Sequence, residues 1–87
     1  MYKIVLHRRA VKYLKKMSVP QQQKIKETLS QLSQNPFEYH GAKNMAGEWA
    51  GYKRIRIGDF RIIYWIDKNK SIIYVDHIGP RGDVYKA

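Results

Sequence analysis

The sequence predicts an α+β fold: two N-terminal helices packed on one face of a mostly antiparallel four-stranded sheet, in the order β-α-α-β-β-β. Three observations carry this. Two stretches before residue 36 repeat apolar side chains at helical spacing. Three stretches after residue 51 alternate, or run apolar, over strand lengths. Two turn signals, Gly58-Asp59 and Asp67-Lys68-Asn69-Lys70, fold those last stretches into consecutive hairpins.

Residues 2–6 read as a short strand, with Ile4 and Leu6 on one face and Val5 on the other. Residues 7–17 carry Ala10, Val11, Leu14 and Met17 at helical spacing. Ser18-Val19-Pro20 opens a second helix, with Ser18 or Val19 near the cap and proline in the first turn. Ile25, Leu29 and Leu32 form its apolar stripe, and Asn35-Pro36 ends it, because proline disfavours helix in the residue before it. Residues 36–51 hold three glycines if Gly51 is included and have no clean period; they read as a loop with room for one turn of helix or a strand end. Strands follow at 52–57, 60–66 and 71–78, and residues 79–87 form a short polar tail. The 87 residues suffice for one domain and leave no room for a second core.

The hairpin is the most informative stretch. With Gly58-Asp59 as a two-residue loop, Ile57 pairs with Phe60, Arg56 with Arg61, Ile55 with Ile62 and Arg54 with Ile63. One face then reads Ile55, Ile57, Phe60, Ile62, Tyr64 and Ile66, a core face. The other gathers Arg54, Arg56 and Arg61. Two arginines directly across a hairpin repel, and the only carboxylate of this hairpin, Asp59, sits in the turn. Asp76 on the next strand could come alongside Arg61, depending on the register of the second turn. Clustered guanidiniums suit a phosphate, which each can grip with two hydrogen bonds. The plain alternative is an exposed basic edge.

Composition agrees with an anionic partner. Seventeen Lys and Arg against seven Asp and Glu give a formal net charge of +10. That self-repulsion costs stability, which nucleic acid, an acidic protein or a membrane surface would offset. There are no cysteines, so a disulfide scaffold and a cysteine-ligated metal site are excluded. Apolar runs such as residues 62–66 fall far short of the roughly 20 residues of a membrane span. His7, His40 and His77 are dispersed, without the spacing of a metal site. No metal or cofactor is expected, and the chain reads as cytoplasmic.

The run Tyr52-Lys53-Arg54-Ile55-Arg56-Ile57-Gly58-Asp59-Phe60-Arg61-Ile62-Ile63-Tyr64 resembles the central hairpin of RelE-type toxins. The ending Ile78-Gly79-Pro80-Arg81-Gly82-Asp83-Val84-Tyr85-Lys86, the start Arg9-Ala10-Val11-Lys12-Tyr13-Leu14, the pair Asn35-Pro36 and the length are similar to the RelE/ParE superfamily as well. The resemblance implies the toxin of a type II toxin–antitoxin system that cleaves messenger RNA on the ribosome. It implies that Arg61 and Arg81 clamp the scissile phosphate, that Arg54 and Arg56 hold the backbone and share in proton transfer, and that Tyr85 stacks on a base or handles a proton. Lys53, Trp65 and His77 are the further candidates for RNA contact. The implied partners are an acidic antitoxin, in a toxin–antitoxin hetero-oligomer, and the ribosome with messenger in its decoding site; no membrane is involved.

Such cleavage would use RNA's own 2′-hydroxyl, which needs charge stabilisation, a base and an acid. Arginine supplies the first and is a poor base. A tyrosine beside arginines has its anion favoured, which suits Tyr85 as a base; its plain alternative is a tail anchor packed on the sheet. One departure from the family pattern is Pro80, where many members carry histidine or lysine before the tail arginine; proline has no side-chain proton to give. Some relatives pair a loop glutamate with a tail histidine, and Glu48 and His40 lie in the corresponding loop. Trp49 reads as a plug of that loop against the sheet. The rival readings are a ParE-type toxin directed at DNA gyrase, a non-catalytic nucleic-acid-binding module, and a toxin that has lost activity.

Overall fold

The computed structural model describes residues 1–80. In chain order these form β1 (Lys3–Leu6), α1 (Arg8–Lys15), α2 (Val19–Gln34), β2 (Ala42–Asn44), β3 (Lys53–Ile57), β4 (Phe60–Asp67) and β5 (Ile72–Pro80), with a 3₁₀ turn at Gly47–Trp49. The strands make one sheet in the order β1-β5-β4-β3-β2. β1 runs parallel to β5, and every other pairing is antiparallel. The fold class is the predicted one with a fifth strand. β2 lies inside the stretch read as loop, and its three residues are too few for alternation to register.

Local chemistry sets both helix starts. His7 Nδ1 accepts from the Arg9 amide at 3.1 Å and caps α1. Ser18 caps α2 with a reciprocal capping box: its hydroxyl accepts from the Gln21 amide, and Gln21 Oε1 accepts from the Ser18 amide. The junction between the helices is tied by Gln22, whose amide nitrogen donates to the Leu14 and Met17 carbonyls at the end of α1. The end of α2 is tied to the first strand, where the Ser33 hydroxyl donates to the Tyr2 carbonyl and the Tyr2 amide donates to the Ser33 carbonyl.

The core lies between the helices and one face of the sheet. Ala10, Met17, Ile25, Leu29 and Leu32 from the helical layer meet Ile55, Ile62, Tyr64, Ile73, Val75 and Ile78 from the sheet. Ile57, Phe60 and Ile66 pack at its margin, so the whole predicted core face of the hairpin faces the helices. Leu14 is only partly buried and Val11 stays outside the cluster. On the opposite face Ile63 and Arg61 are also buried, and the 3₁₀ turn sets Trp49 against His77 and Tyr52. None of the described helices is long and apolar enough to cross a membrane.

Tyr64 is the odd member of this core. It is fully buried, and its hydroxyl has no hydrogen-bond partner among the described residues. Burial, helped by nearby Tyr39, pushes its pKa from 10.0 up to about 12. A buried hydroxyl without a partner costs about 1–3 kcal/mol. Tyr64→Phe should therefore stabilise the fold by about 1 kcal/mol at pH 7 in chemical denaturation. The advantage grows at high pH: between pH 10.0 and about 12 the unfolded tyrosine ionises while the folded one does not, so wild-type stability falls as pH rises. Tyr64→Phe should lose that component of the slope. A destabilised variant with an unchanged alkaline slope would show that the hydroxyl is well accommodated.

Candidate functional site

The turn at Gly58-Asp59 fixes the register of β3 against β4. Gly58 takes a φ of 57°, the left-handed backbone that a two-residue hairpin needs at its first central position. The ladder that follows pairs Ile57 with Phe60, Arg56 with Arg61, Ile55 with Ile62 and Arg54 with Ile63, as the sequence predicts. Because Ile55 and Ile62 enter the core, Arg54, Arg56, Arg61 and Ile63 share the opposite face of the sheet. Arg56 and Arg61 are one step from the closing pair, in the closer-spaced position of an antiparallel ladder, with Cα atoms about 4.5 Å apart.

β2 adds a cation that the sequence does not reveal. Lys43 pairs with Arg54 and so faces the same side. Gly41, Lys43, Arg54 and Arg56 line a cleft of about 270 Å³. Arg56 is exposed and Arg54 half-buried, whereas Arg61 is only 5% exposed. Arg61 is thus a positive charge held in a fixed place, since a buried guanidinium loses most of its rotamers. Four cations on three adjacent strands make a surface suited to the oxygens of a phosphate backbone.

The other candidates are placed differently. Lys53 alternates to the opposite side of β3, where its ammonium donates to Asn44 Oδ1 at 3.0 Å. Trp65 shares the arginine side of β4, but lies four residues from Arg61, about 13 Å along the strand. There it stacks on Tyr74, with ring centroids 4.6 Å apart. His77 pairs with Ile63, which pairs with Arg54, so His77 lies two strands from Arg54. Arg81 and Tyr85 lie outside the described residues. Asp76 does not come alongside Arg61, which faces Gly79 instead. The ladder skips Asp76, with Ile63 paired to His77 and Tyr64 to Val75, so Asp76 is a bulge residue. Its carboxylate accepts from Arg9 at 3.5 Å.

Around that bulge the structure assembles a second group that the sequence leaves scattered. Trp49, from the 3₁₀ turn, meets His77 edge-on at 5.3 Å and Tyr52 at 5.1 Å between ring centroids. Arg9, Glu48, Trp49, Tyr52, Asp76 and His77 line a cleft of about 320 Å³. No sequence spacing signals it, because its members come from a helix, a loop and a bulge. Among the described residues, no group of three or more His, Asp or Glu is arranged to hold a metal ion.

Burial first, then the Arg9 and His7 charges, lower the pKa of His77 below its ordinary 6.5, against the opposing pull of Asp76. The imidazole is therefore neutral at pH 7. The unfolded histidine takes up a proton more readily than the folded one, so stability is complete above pH 6.5 and falls as pH drops through the folded value. In an NMR titration His77 should show a midpoint below 6.5. Asp76→Asn should lower that midpoint further, and Arg9→Gln should raise it. A midpoint above 6.5 would mean that Asp76 dominates the site.

The whole chain has relatives. The family model for the ParE toxin of type II toxin–antitoxin systems (parDE) matches residues 4–85. The chain is 32% identical over 87 residues to RelE1 of Methanocaldococcus jannaschii, named as a candidate toxin, with 98% of this chain and 96% of that one covered. The fold is similar to that in the toxin–antitoxin complex RelBE2 of Mycobacterium tuberculosis, with a TM-score of 0.80, 23% identity, and coverage of 92% of this chain and 98% of the other. It is equally similar to that in the RelE–RelB complex of Pyrococcus horikoshii OT3, with a TM-score of 0.80, 24% identity, and coverage of 93% and 96%. The chain belongs to the RelE/ParE superfamily of type II toxin–antitoxin toxins.

Proposed function

We propose that this toxin is an endoribonuclease that cleaves messenger RNA on the ribosome. The observation that carries this reading is Arg56 set directly opposite Arg61, with Arg54 and Lys43 beside them on one face of the sheet. Guanidiniums and an ammonium gathered on one face suit a polyanionic ligand, whose phosphates an arginine can grip with two hydrogen bonds.

In the reaction, the RNA 2′-oxygen attacks the adjacent phosphorus and the bond from phosphorus to the 5′-oxygen breaks. A base takes the 2′-hydroxyl proton, and an acid gives one to the leaving 5′-oxygen. Arg61, fixed by burial, donates to the oxygens on which charge builds up; Arg54, Arg56 and Lys43 hold the backbone phosphates. Arg81 joins the clamp and Tyr85 handles a proton in this reading. The scheme draws its nucleophile from the substrate and asks for no metal. Trp65 lies further along the same face and would meet RNA downstream of the clamp, while Lys53 is placed to contact RNA only around the sheet edge. So small a chain has few groups to order a flexible strand, and orientation supplies up to ~7–11 kcal/mol of such a barrier. The ribosome is the partner that delivers the messenger already ordered.

Full-length protein added to a reconstituted translation system should produce new messenger 5′ ends, and cleave naked RNA far more slowly. Arg61→Ala should slow single-turnover cleavage ~100- to 1,000-fold, and Arg56→Ala should slow it less. Wild-type rates in both variants would overturn the assignment. The match to a ParE toxin model favours a second reading, a toxin directed at DNA gyrase. Loss of supercoiling by gyrase, with messenger left intact, would establish that one instead.

The M. tuberculosis and P. horikoshii relatives occur in complexes with an antitoxin, and an acidic antitoxin is the partner proposed here. A net charge of +10 steers such a segment over long range. Its on-rate should fall as salt rises in stopped-flow binding. A flat on-rate would show that the charge plays no part in capture.

A further inference from the structure

We propose that the cleft lined by Arg9, Glu48, Trp49, Tyr52, Asp76 and His77 is a base-reading subsite selective for guanine. The inference rests on the reading of the arginine face as an RNA site, and it concerns what stands beside the phosphate. The walls are aromatic. Trp49 meets Tyr52 at an interplanar angle of 86° and His77 at 68°. Rings set nearly at right angles form a corner, where a flat base can stack on one ring and present its edge to another. His77 is neutral at pH 7, so the corner adds no charge of its own. The volume, about 320 Å³, sits at the small end of the ~300–1,000 Å³ range of ligand pockets.

The polar groups choose the base. Glu48 is exposed, on the turn that carries Trp49, and makes no hydrogen bond or ion pair with a described residue. A carboxylate only accepts, and it accepts best from two adjacent donors. Guanine alone offers two on its Watson–Crick edge, N1–H and the N2 amine. Adenine, cytosine and uracil each offer one. Arg9 supplies the matching donors: its guanidinium is half exposed and held by a single 3.5 Å contact to Asp76. Guanine's O6 and N7 are the acceptors that an arginine reads in pairs. Asp76 stands between Arg9 and His77, with one carboxylate oxygen 3.5 Å from the Arg9 guanidinium and the other 3.5 Å from His77 Nε2; the bulge turns that carboxylate toward α1.

Position supports the same assignment. Arg54 pairs with Ile63, and Ile63 with His77, on three successive strands. Two strand spacings, about 10 Å, separate the arginine face from the aromatic corner. A strand gripped by its phosphates on the arginines can lay a neighbouring base there.

The test is NMR titration of the full-length protein with guanosine, adenosine, cytidine and uridine 5′-monophosphates in turn. The guanine nucleotide should move the Trp49 indole and His77 imidazole signals saturably, with affinity about 5- to 10-fold above the other three. Glu48→Gln, at an exposed position that does not disturb folding, should abolish that preference while leaving stacking intact. Trp49→Phe should weaken all four. Equal affinities, guanine shifts confined to the arginine face, or a preference that survives Glu48→Gln would overturn the subsite and leave the nuclease reading standing. A guanine preference in a protein that leaves messenger intact would support the subsite and overturn the nuclease reading.

Discussion

A two-residue turn, Gly58-Asp59, decides how β3 lies against β4. Strand side chains alternate between faces, so a slip of one residue would carry every isoleucine of β3 to the open side and every arginine into the core. The observed register puts Ile55, Ile62 and Tyr64 under the helices and Arg54, Arg56 and Arg61 on the far face. The turn works because Gly58 accepts a positive φ without a steric penalty. The helical layer then has one apolar face to cover, and it covers only that one. The cationic face is a consequence of this pairing, and the cations collected there follow from the same alternation.

Arg56 opposite Arg61 forgoes the cross-strand attraction that an opposite charge would give, and adds repulsion. Arg61 is nearly buried, and taking a guanidinium out of water is unfavourable unless other groups compensate. The apolar cluster that holds the fold together lies on the other side of the sheet, against the helices. The division of labour is spatial: one face packs against the helices, and the other carries Arg54, Arg56 and Arg61. Shared ancestry with toxins explains the fold; the alternation explains why the charges cannot spread around it.

Much of this is legible in the sequence, for identifiable reasons. Periodicity finds both helices and the three long strands, and the Ser18 and Asn35-Pro36 signals bound α2 correctly. The hairpin register follows from turn length alone. Other features have no local signature. β2 is three residues long, so Lys43 cannot be assigned a face until pairing with β3 is seen. The bulge at Asp76 arises from how two strands match, and neither strand's sequence marks it. It also moves Asp76 away from Arg61, where the simple register would allow a contact. Lys53 shows the opposite lesson: it adjoins Arg54 in sequence and is separated from it by the thickness of the sheet. Arg81 and Tyr85 belong to the tail, outside the described residues.

The bulge has a structural cause that connects it to the second cleft. β1 is parallel to β5 and pairs with it only as far as Leu6 opposite Val75. At that point the His7 amide donates to the Val75 carbonyl, and the chain turns into α1. Among the described residues, β5 continues to Pro80 with no strand on that side, paired only with β4. An extra residue can be taken up there at little cost, because just one ladder has to adjust. Asp76 is that residue, and the first turn of α1 places Arg9 within reach of it. The short parallel strand, the histidine cap and the bulge thus act as one local device. Its effect is to turn His77 to the face shared with Ile63 and Arg54, beside the loop that brings Trp49. The cationic face depends on how the hairpin pairs, and the aromatic corner next to it depends on where β1 stops.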